Sequence, residues 1–314
     1  SLAPLVPENL HDLHDMQLRL VALALALATA EGFTPGLARP QPSLARATSA
    51  ATRVSLVASA DAAPAGATKK ELLAEAIGTG LITLLGTGTV ASAVYTGAHQ
   101  GIWQIAATWG GAVAIAAYTT AGVSGAHLNP AVTLALVAFK GFPMGKALSY
   151  AVAQLAGAVG AALAVLSCFG PAIKTFELGK NLVRGSAAGI ASAPGCMFFS
   201  LCPGGLSTAA ACAVEGLQMA ILTFGILALT DKKSAAPPAG ACAMIGVIVA
   251  VLISTFGPLT CSGFNPARDL GPRIVASLAG WGAHAFKGWW VYSVGPFVGT
   301  LVGAAAAGAL YDDK

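Results

Sequence analysis

Charged side chains are scarce in this sequence. Asp, Glu, Lys and Arg make up 10% of its 314 residues, whereas 56% are hydrophobic. Soluble domains carry roughly 25% charged residues, so this chain cannot cover a water-facing surface in the usual way. The composition excludes an ordinary soluble protein and favours one that lies largely in a membrane.

Metal, redox, enzymatic and nucleic-acid chemistry also lack their usual signatures. The six cysteines show no CxxC spacing, so neither a zinc site nor a redox motif is indicated. No nucleophile, acid pair or metal-binding cluster stands out, and we expect no enzyme activity, cofactor or bound metal. The net charge of +4 is small and dispersed, which argues against nucleic acid as a partner. Cys196 and Cys202 share one loop, and a disulfide between them is left open.

The first 70 residues differ in composition from the rest. Residues 20–28 form an apolar run that is too short to span a membrane but suits a signal-peptide core. Residues 33–60 contain three Arg, many Ser, Thr and Ala, and no acid, which suits a transit peptide. We predict that residues 1–70 are either a presequence or a disordered tail.

Six apolar stretches reach or approach the length of about 20 residues that a transmembrane helix needs. They are Leu72–Tyr95, Ile102–Thr120, Lys146–Phe169, Ala209–Thr230, Ala241–Phe256 and Trp289–Leu310. Two further apolar runs, which open at Asn129 and Asn265, are too short to span. We predict that they are half-helices that enter the membrane and stop midway, the first at Lys140-Gly141 and the second near Gly280.

The order of these segments repeats along the chain. Glu75 precedes Asn129 by 54 residues, and Glu215 precedes Asn265 by 50. Each half contains three spans, an odd number, so the second half enters the membrane from the opposite side. The predicted fold is an all-α membrane protein with six transmembrane helices and two re-entrant half-helices in an inverted repeat, whose functional site is expected at the midplane. The channel domain would occupy residues 71–314, with repeats over about 71–170 and 206–311.

Both half-helices open with the same triplet, Asn129-Pro130-Ala131 and Asn265-Pro266-Ala267. Asn is a strong N-cap, and Pro fits the first helical position. Ala is small, so two such half-helices can meet tip to tip, and their dipoles would each place about half a positive charge at the membrane centre. The Asn amides would add N–H donors that face a permeating molecule. Such a pore opposes protons and cations and passes neutral, oxygen-bearing solutes.

The residues around the triplets resemble the two signatures of the major intrinsic protein family, the aquaporins and aquaglyceroporins. The segments are Thr120–Thr133 (TAGVSGAHLNPAVT) and Gly263–Arg273 (GFNPARDLGPR). The resemblance covers about residues 71–311. It implies a passive pore in the lipid membrane and a homotetramer with one pore per subunit.

The same resemblance implies a selectivity filter beside the triplets. Its four positions should be Trp109, Ile253, Ser262 and Arg268. The aromatic face of Trp109 opposite the guanidinium of Arg268 would form an amphipathic slot for polyols. Glu75 and Glu215 should accept hydrogen bonds from backbone N–H groups of the re-entrant loops, and His127 should brace one of them.

The resemblance leaves the solute open between two branches. Asp269, followed by Arg273, is similar to the glycerol-conducting branch, and the filter set of Trp, Ile, Ser and Arg is similar to that of the nodulin-like intrinsic proteins, which pass glycerol. Tyr292, in contrast, is similar to the water branch. We expect a passive channel for glycerol-type small neutral solutes and water that excludes protons and ions. A water-selective aquaporin and an ion-coupled secondary transporter are the alternatives. The membrane would be the plasma membrane, a plastid membrane or an endomembrane.

Overall fold

The computed structural model describes residues 66–99, 101–186, 188–189, 205–235 and 240–311. Eight α-helices lie in this part of the chain: α1 Lys69–Ala91, α2 Ile102–Ser124, α3 Pro130–Lys140, α4 Met144–Gly179, α5 Thr208–Thr230, α6 Ala241–Thr260, α7 Pro266–Ala276 and α8 Val291–Tyr311. Almost all of the predicted presequence or tail, together with Cys196 and Cys202, lies outside the described residues.

The helices fall into two length classes. Helices α3 and α7 have 11 residues each, a length of about 16 Å at the usual rise per residue. That is about half of the roughly 30 Å hydrocarbon core of a bilayer. The other six have between 20 and 36 residues. The predicted all-α membrane fold with six long helices and two half-helices is confirmed.

Apolar character is uneven among the six long helices. Five of them, all but α2, are apolar enough by length and composition to cross a membrane. Helix α2 has 23 residues, but Trp, Tyr, Thr and Gly dilute its Ile and Val. It packs against α1 and α6, so much of its surface faces protein rather than lipid.

Both half-helices begin at their Asn-Pro-Ala triplets as predicted. Asn129 is the N-cap of α3 and its Oδ1 accepts from the Ala131 N–H at 2.9 Å. Asn265 is the N-cap of α7 and accepts from the N–H groups of Ala267 and Arg268 at 3.1 and 3.2 Å. Pro takes the first helical turn in each, where its missing N–H costs nothing.

Several helix boundaries differ from the prediction by a turn or more, and two of them have a clear cause. Helix α4 was expected to end at Phe169, before a Gly-Pro pair, but it continues to Gly179 with Pro171 inside it. The added turns are held by packing, since Ile173 is fully buried and Phe176 makes an edge contact with Tyr95. Helix α7 ends at Ala276 as an α-helix, and the chain continues through a π-helical turn, Ser277–Trp281, and a 3₁₀ turn, Gly282–Phe286.

The packing order follows the inverted repeat. Helix α1 packs on α4 in the first repeat, as α5 packs on α8 in the second. Each half-helix also lies against a long helix of the other repeat, α3 on α8 and α7 on α4. Helices α2 and α6 meet at Gly110 and Gly246, where a Cβ on either residue would lie 2.4 Å from the carbonyl oxygen of the other.

Small residues of α4 and α8 serve contacts within the chain. A Cβ at Gly157 would lie 2.0 Å from the carbonyl oxygen of Ala76, and one at Gly299 would lie 1.9 Å from that of Gly216. Small residues let helix backbones approach this closely in a membrane. The two repeats therefore use the same contact between their first and third long helices.

Candidate pore and selectivity filter

A buried glutamate anchors the loop before each half-helix. Glu75 on α1 accepts from the backbone N–H groups of His127 and Leu128 at 2.9 and 2.7 Å. Glu215 on α5 accepts from those of Gly263 and Phe264 at 3.1 and 2.7 Å. Both carboxylates are fully buried, where an unpaired charge would be costly. The loop N–H groups thus satisfy the carboxylates and orient both loops.

Each carboxylate also receives side-chain donors, which the sequence reasoning missed. Ser124 and Gln154 donate to Glu75 at 2.6 and 2.7 Å, and Gln218 lies 3.5 Å from Glu215. Gln154 reaches Glu75 from α4, 79 positions further along the chain. Long separations of this kind carry no spacing signal.

The two triplets are joined by a reciprocal pair of hydrogen bonds. The Asn129 Nδ2 donates to the carbonyl oxygen of Phe264 at 2.9 Å, and the Asn265 Nδ2 donates to that of Leu128 at 2.8 Å. Each Asn amide therefore donates one of its N–H groups to the opposite loop. An amide NH₂ group has two hydrogens, so the expected donor to a permeating molecule is the second one, which in Asn129 has the weak acceptor Met219 Sδ at 3.9 Å from the nitrogen.

The loops share an unusual backbone conformation. The same three positions before each Asn have positive φ: Gly125 (85°), Ala126 (51°) and Leu128 (52°), and Cys261 (63°), Ser262 (49°) and Phe264 (21°). Only glycine adopts this region freely, and each other residue there costs about 1 kcal/mol or more. Ala, Leu and Phe give no hint of it in the sequence. The anchoring glutamates offset the strain.

One cavity connects the triplets with the predicted filter. It is lined by Asn129 and Asn265, by both strained loops and by all four predicted filter residues. Its volume is about 80 Å³, and one water needs about 10–15 Å³ by this measure. The space therefore holds several water-sized molecules at once. Gly125 and Gly263 also line it, and glycine offers only backbone there.

The four predicted filter residues, Trp109, Ile253, Ser262 and Arg268, are called the filter ring below. The Arg268 guanidinium carbon lies 4.5 Å from the centroid of the Trp109 ring. Both side chains are buried in the protein and line the cavity. The buried Ser262 hydroxyl has no hydrogen-bond partner among the described residues. The ring thus combines an aromatic face, an aliphatic wall, a cation and a hydroxyl.

His127 and Asp269 support the site in different ways. The His127 ring lies 3.2 Å from the Thr133 hydroxyl and packs against Phe142. Asp269 is fully buried and pairs with Arg273 at 2.6 Å. Arg273 also donates to the carbonyl oxygen of Ala285, so the ion pair ties α7 to the turn that follows it.

Two tyrosines complete the symmetric frame and were not assigned this role from the sequence. The Tyr150 hydroxyl donates to the Ser124 carbonyl at 3.0 Å, and the Tyr292 hydroxyl donates to the Thr260 carbonyl at 2.9 Å. Both carbonyls lie at the ends of the second helices, just before the strained loops. Tyr292 therefore makes the same hydrogen bond in the second repeat as Tyr150 makes in the first.

These features define a membrane channel whose narrow passage lies between two re-entrant half-helices. The chain matches the family model described as Major intrinsic protein over residues 64–307, and it belongs to that family. It is 44% identical over 246 residues to the glycerol uptake facilitator protein of Escherichia coli K12, covering 76% of this chain and 86% of the relative.

Other relatives point the same way. The chain is 41% identical over 247 residues to the propanediol uptake facilitator of Citrobacter freundii, covering 77% of this chain and 91% of that protein. It resembles the crystal structure of the aquaglyceroporin from Plasmodium falciparum with a TM-score of 0.66, 27% identity, and coverage of 75% and 93%. The predicted family and a passive channel for small neutral solutes are confirmed.

Proposed function

We propose that this channel conducts glycerol-type polyols together with water and excludes protons and ions. The observation that carries the proposal is the contact between the Trp109 ring and the Arg268 guanidinium, whose carbon lies 4.5 Å from the ring centroid, in the lining of the cavity. An aromatic face beside a guanidinium suits a molecule that is apolar along its carbons and polar along its hydroxyls.

In this proposal the filter ring sorts solutes by their chemistry. The carbon backbone of a polyol slides along Trp109 and Ile253. Its hydroxyls accept from Arg268, which presents fixed N–H donors and a permanent charge, and bond to the Ser262 hydroxyl, which has no other partner among the described residues. The same charge repels cations. Passage through the channel requires no cofactor and no chemical step, so we propose no enzyme activity.

The triplets would control the middle of the passage. The N-termini of α3 and α7 meet there, and their dipoles favour oxygen atoms and oppose positive charge. A water or hydroxyl oxygen that accepts from Asn129 and Asn265 turns its own hydrogens away. The hydrogen-bonded chain of water is interrupted at that point, and protons are excluded.

The relatives support polyols over water alone. The curated proteins reported above are named as facilitators of glycerol and propanediol uptake, and both solutes carry two or more hydroxyls on a three-carbon chain. The one sequence feature that favoured a water channel was Tyr292. Its hydroxyl donates to the carbonyl oxygen of Thr260, and neither residue lines the cavity. Tyr292 therefore gives no support to the water-selective alternative.

An ion-coupled transporter would need carboxylates that face the passage. Glu75 and Glu215 were the candidates, but both are fully buried and bonded to loop N–H groups, and neither lines the cavity. A structural role for both supports a passive channel.

The test is a stopped-flow permeability panel on proteoliposomes with water, glycerol, urea and boric acid. The proposal expects glycerol flux that rises linearly with its gradient and is not coupled to an ion. Water flux without glycerol flux would establish the water-selective alternative, and saturable, gradient-coupled flux would establish a transporter.

We further propose a homotetramer with one pore per subunit, surrounded by lipid, in the plasma membrane or in a plastid or endomembrane. The bacterial relatives favour the plasma membrane. The family match over residues 64–307 supports a channel domain at 71–314 with residues 1–70 as a separate presequence or tail. Cross-linking in native membranes, with a tagged full-length chain, tests assembly and location together.

A further inference from the structure

Gly86 on α1 lies directly beneath the filter ring. A Cβ at this position would lie 2.2, 2.2 and 2.4 Å from three carbon atoms of the Trp109 ring. Carbon atoms in contact prefer separations of about 3.5–4.0 Å. Trp109 therefore rests on the bare backbone of α1, and only glycine leaves room for the ring where it stands.

The surroundings of Trp109 decide where the ring would move if Gly86 gained a side chain. The α1 backbone closes one side. The other side faces the cavity, which Trp109 lines, and the guanidinium of Arg268, whose carbon is 4.5 Å from the ring centroid. At that distance the ring and the guanidinium are already in contact, so a displacement of the ring away from α1 pushes the pair into the cavity that both side chains line.

The second repeat shows the other solution to the same packing problem. The repeat offset is 140 residues for the first helices (Glu75 to Glu215) and 136 for the second (Gly110 to Gly246). By these offsets Ile226 corresponds to Gly86, and Ile245 corresponds to Trp109. Both isoleucines line the cavity. One repeat thus pairs the smallest residue with the largest, and the other pairs two of intermediate size.

We propose that Gly86 is a specificity-determining position of this channel, which acts by seating the Trp109 ring, in contact with Arg268, far enough back toward α1 to leave the cavity beside the pair open to a polyol. Gly86 is a positioning residue and does not touch the solute through a side chain. The inference rests on the proposed function as a polyol channel, because Gly86 positions the aromatic side chain of the filter ring. Any side chain at position 86 pushes Trp109 into the cavity and narrows it beside the filter ring, so that a three-carbon solute is excluded before water is.

The experiment compares Gly86→Ala with Gly88→Ala in proteoliposomes of the full chain. Gly88 is the matched control, because it lies on the same helix and a Cβ there meets nothing within 4 Å. Misfit of one methyl group in a binding site costs about tenfold or more. We expect Gly86→Ala to lower the glycerol-to-water permeability ratio by about that factor, and Gly88→Ala to leave it unchanged.

A second pair of variants tests whether Gly86 acts through Trp109. Trp109→Phe supplies a smaller ring, so Gly86→Ala/Trp109→Phe should recover glycerol flux relative to Gly86→Ala. The thermal midpoint in detergent should fall in Gly86→Ala and recover in the double variant. If Gly86→Ala fails to fold, a folded and conducting double variant supports the seat, and an unfolded one overturns it.

Two results contradict the inference directly. The first is a wild-type permeability ratio and thermal midpoint in Gly86→Ala. The second is a loss of glycerol flux that Trp109→Phe does not restore. The proposed function fails separately, when the wild-type channel passes water without glycerol. In that case the coupling between the two substitutions in thermal midpoint still tests whether Gly86 seats the ring.

Discussion

The two halves of this channel share a frame but differ in what they present to the passage. Glu75 and Glu215 hold their loops by equivalent backbone bonds, and Tyr150 and Tyr292 bond equivalent carbonyls. The filter ring has a counterpart 136 residues away along the chain, which we call the mirror ring. Its members all line the same cavity and are Ala117, Ala126, Val132 and Ile245.

The mirror ring carries no charge and no hydroxyl. Arg268 corresponds to Val132, Ser262 to Ala126 and Trp109 to Ile245 by the repeat offset. Inverted symmetry therefore builds the loops, the half-helices and the central Asn pair, whereas selectivity is assigned to one side only. If this is right, equivalent substitutions in the frame should have equal effects in both halves, whereas equivalent substitutions in the filter ring and the mirror ring should differ.

The largest effect is expected where the halves are equivalent. Glu75→Ala and Glu215→Ala each leave two backbone N–H groups buried without an acceptor, at about 1–3 kcal/mol per group. The free energy of unfolding of both variants should fall by several kcal/mol, and most of the protein should no longer conduct. Thermal melts in detergent measure this, with Leu73→Ala and Leu217→Ala as controls, because both leucines are exposed in the subunit. A wild-type melt for either glutamate variant would contradict the shared frame.

A somewhat smaller effect is expected for an ion pair that only the second half contains. Arg273→Met removes the nearer of two guanidinium groups from the buried Asp269, whose other neighbour is Arg268 at 4.0 Å, and breaking a buried pair costs about 3–5 kcal/mol. Asp269→Asn combined with Arg273→Met removes both charges of this pair and should be more stable than Arg273→Met alone. Chemical denaturation of the three proteins gives the comparison. Equal stability of the single and double variants would show that the charge on Asp269 is not the cause.

Removing the charge of the filter ring should weaken ion exclusion. A unit charge acts on another at 4 Å with about 4 kcal/mol at an effective dielectric constant of 20. We expect Arg268→Val to raise cation leak in a planar bilayer by about tenfold or more, and Val132→Ala in the mirror ring to leave it at the wild-type level. Unaltered cation exclusion in Arg268→Val would place the barrier entirely at the triplets.

The smallest effect concerns a single hydroxyl. Ser262→Ala removes one hydrogen bond to the solute, which is worth about 1 kcal/mol and hence about a fivefold change in rate. Glycerol flux should fall by that factor while water flux changes less. Ala126→Ser adds the same hydroxyl to the mirror ring and should not raise glycerol flux. A rise there would mean that both rings select the solute.

Sequence reasoning was strongest where one residue type settles a local structure. Asn followed by Pro predicts a helix start, and the structure begins α3 and α7 there. The repeated Glu-to-Asn spacing predicted the inverted order of helices. The family resemblance, through the positions of its filter residues relative to the two Asn residues, predicted four filter positions, and all four line one cavity.

Sequence reasoning failed where distant parts of the chain decide the local conformation. Positive φ at Ala126, Leu128 and Phe264 contradicts their intrinsic preferences and depends on anchors about 50 residues earlier in the chain. The continuation of α4 past Pro171 depends on its contact with the end of the α1 segment. Neither pairing leaves a pattern in a single sequence.

The proposed mechanism requires that the filter ring, and not the mirror ring, selects the solute. The direct measurement is the size cut-off for linear polyols of three to six carbons in proteoliposomes. Trp109→Ala/Arg268→Ala should admit longer polyols than the wild type does, and Ile245→Ala/Val132→Ala should keep the wild-type cut-off. The same cut-off in all three proteins, or a wider one only in the mirror-ring variant, would contradict the account.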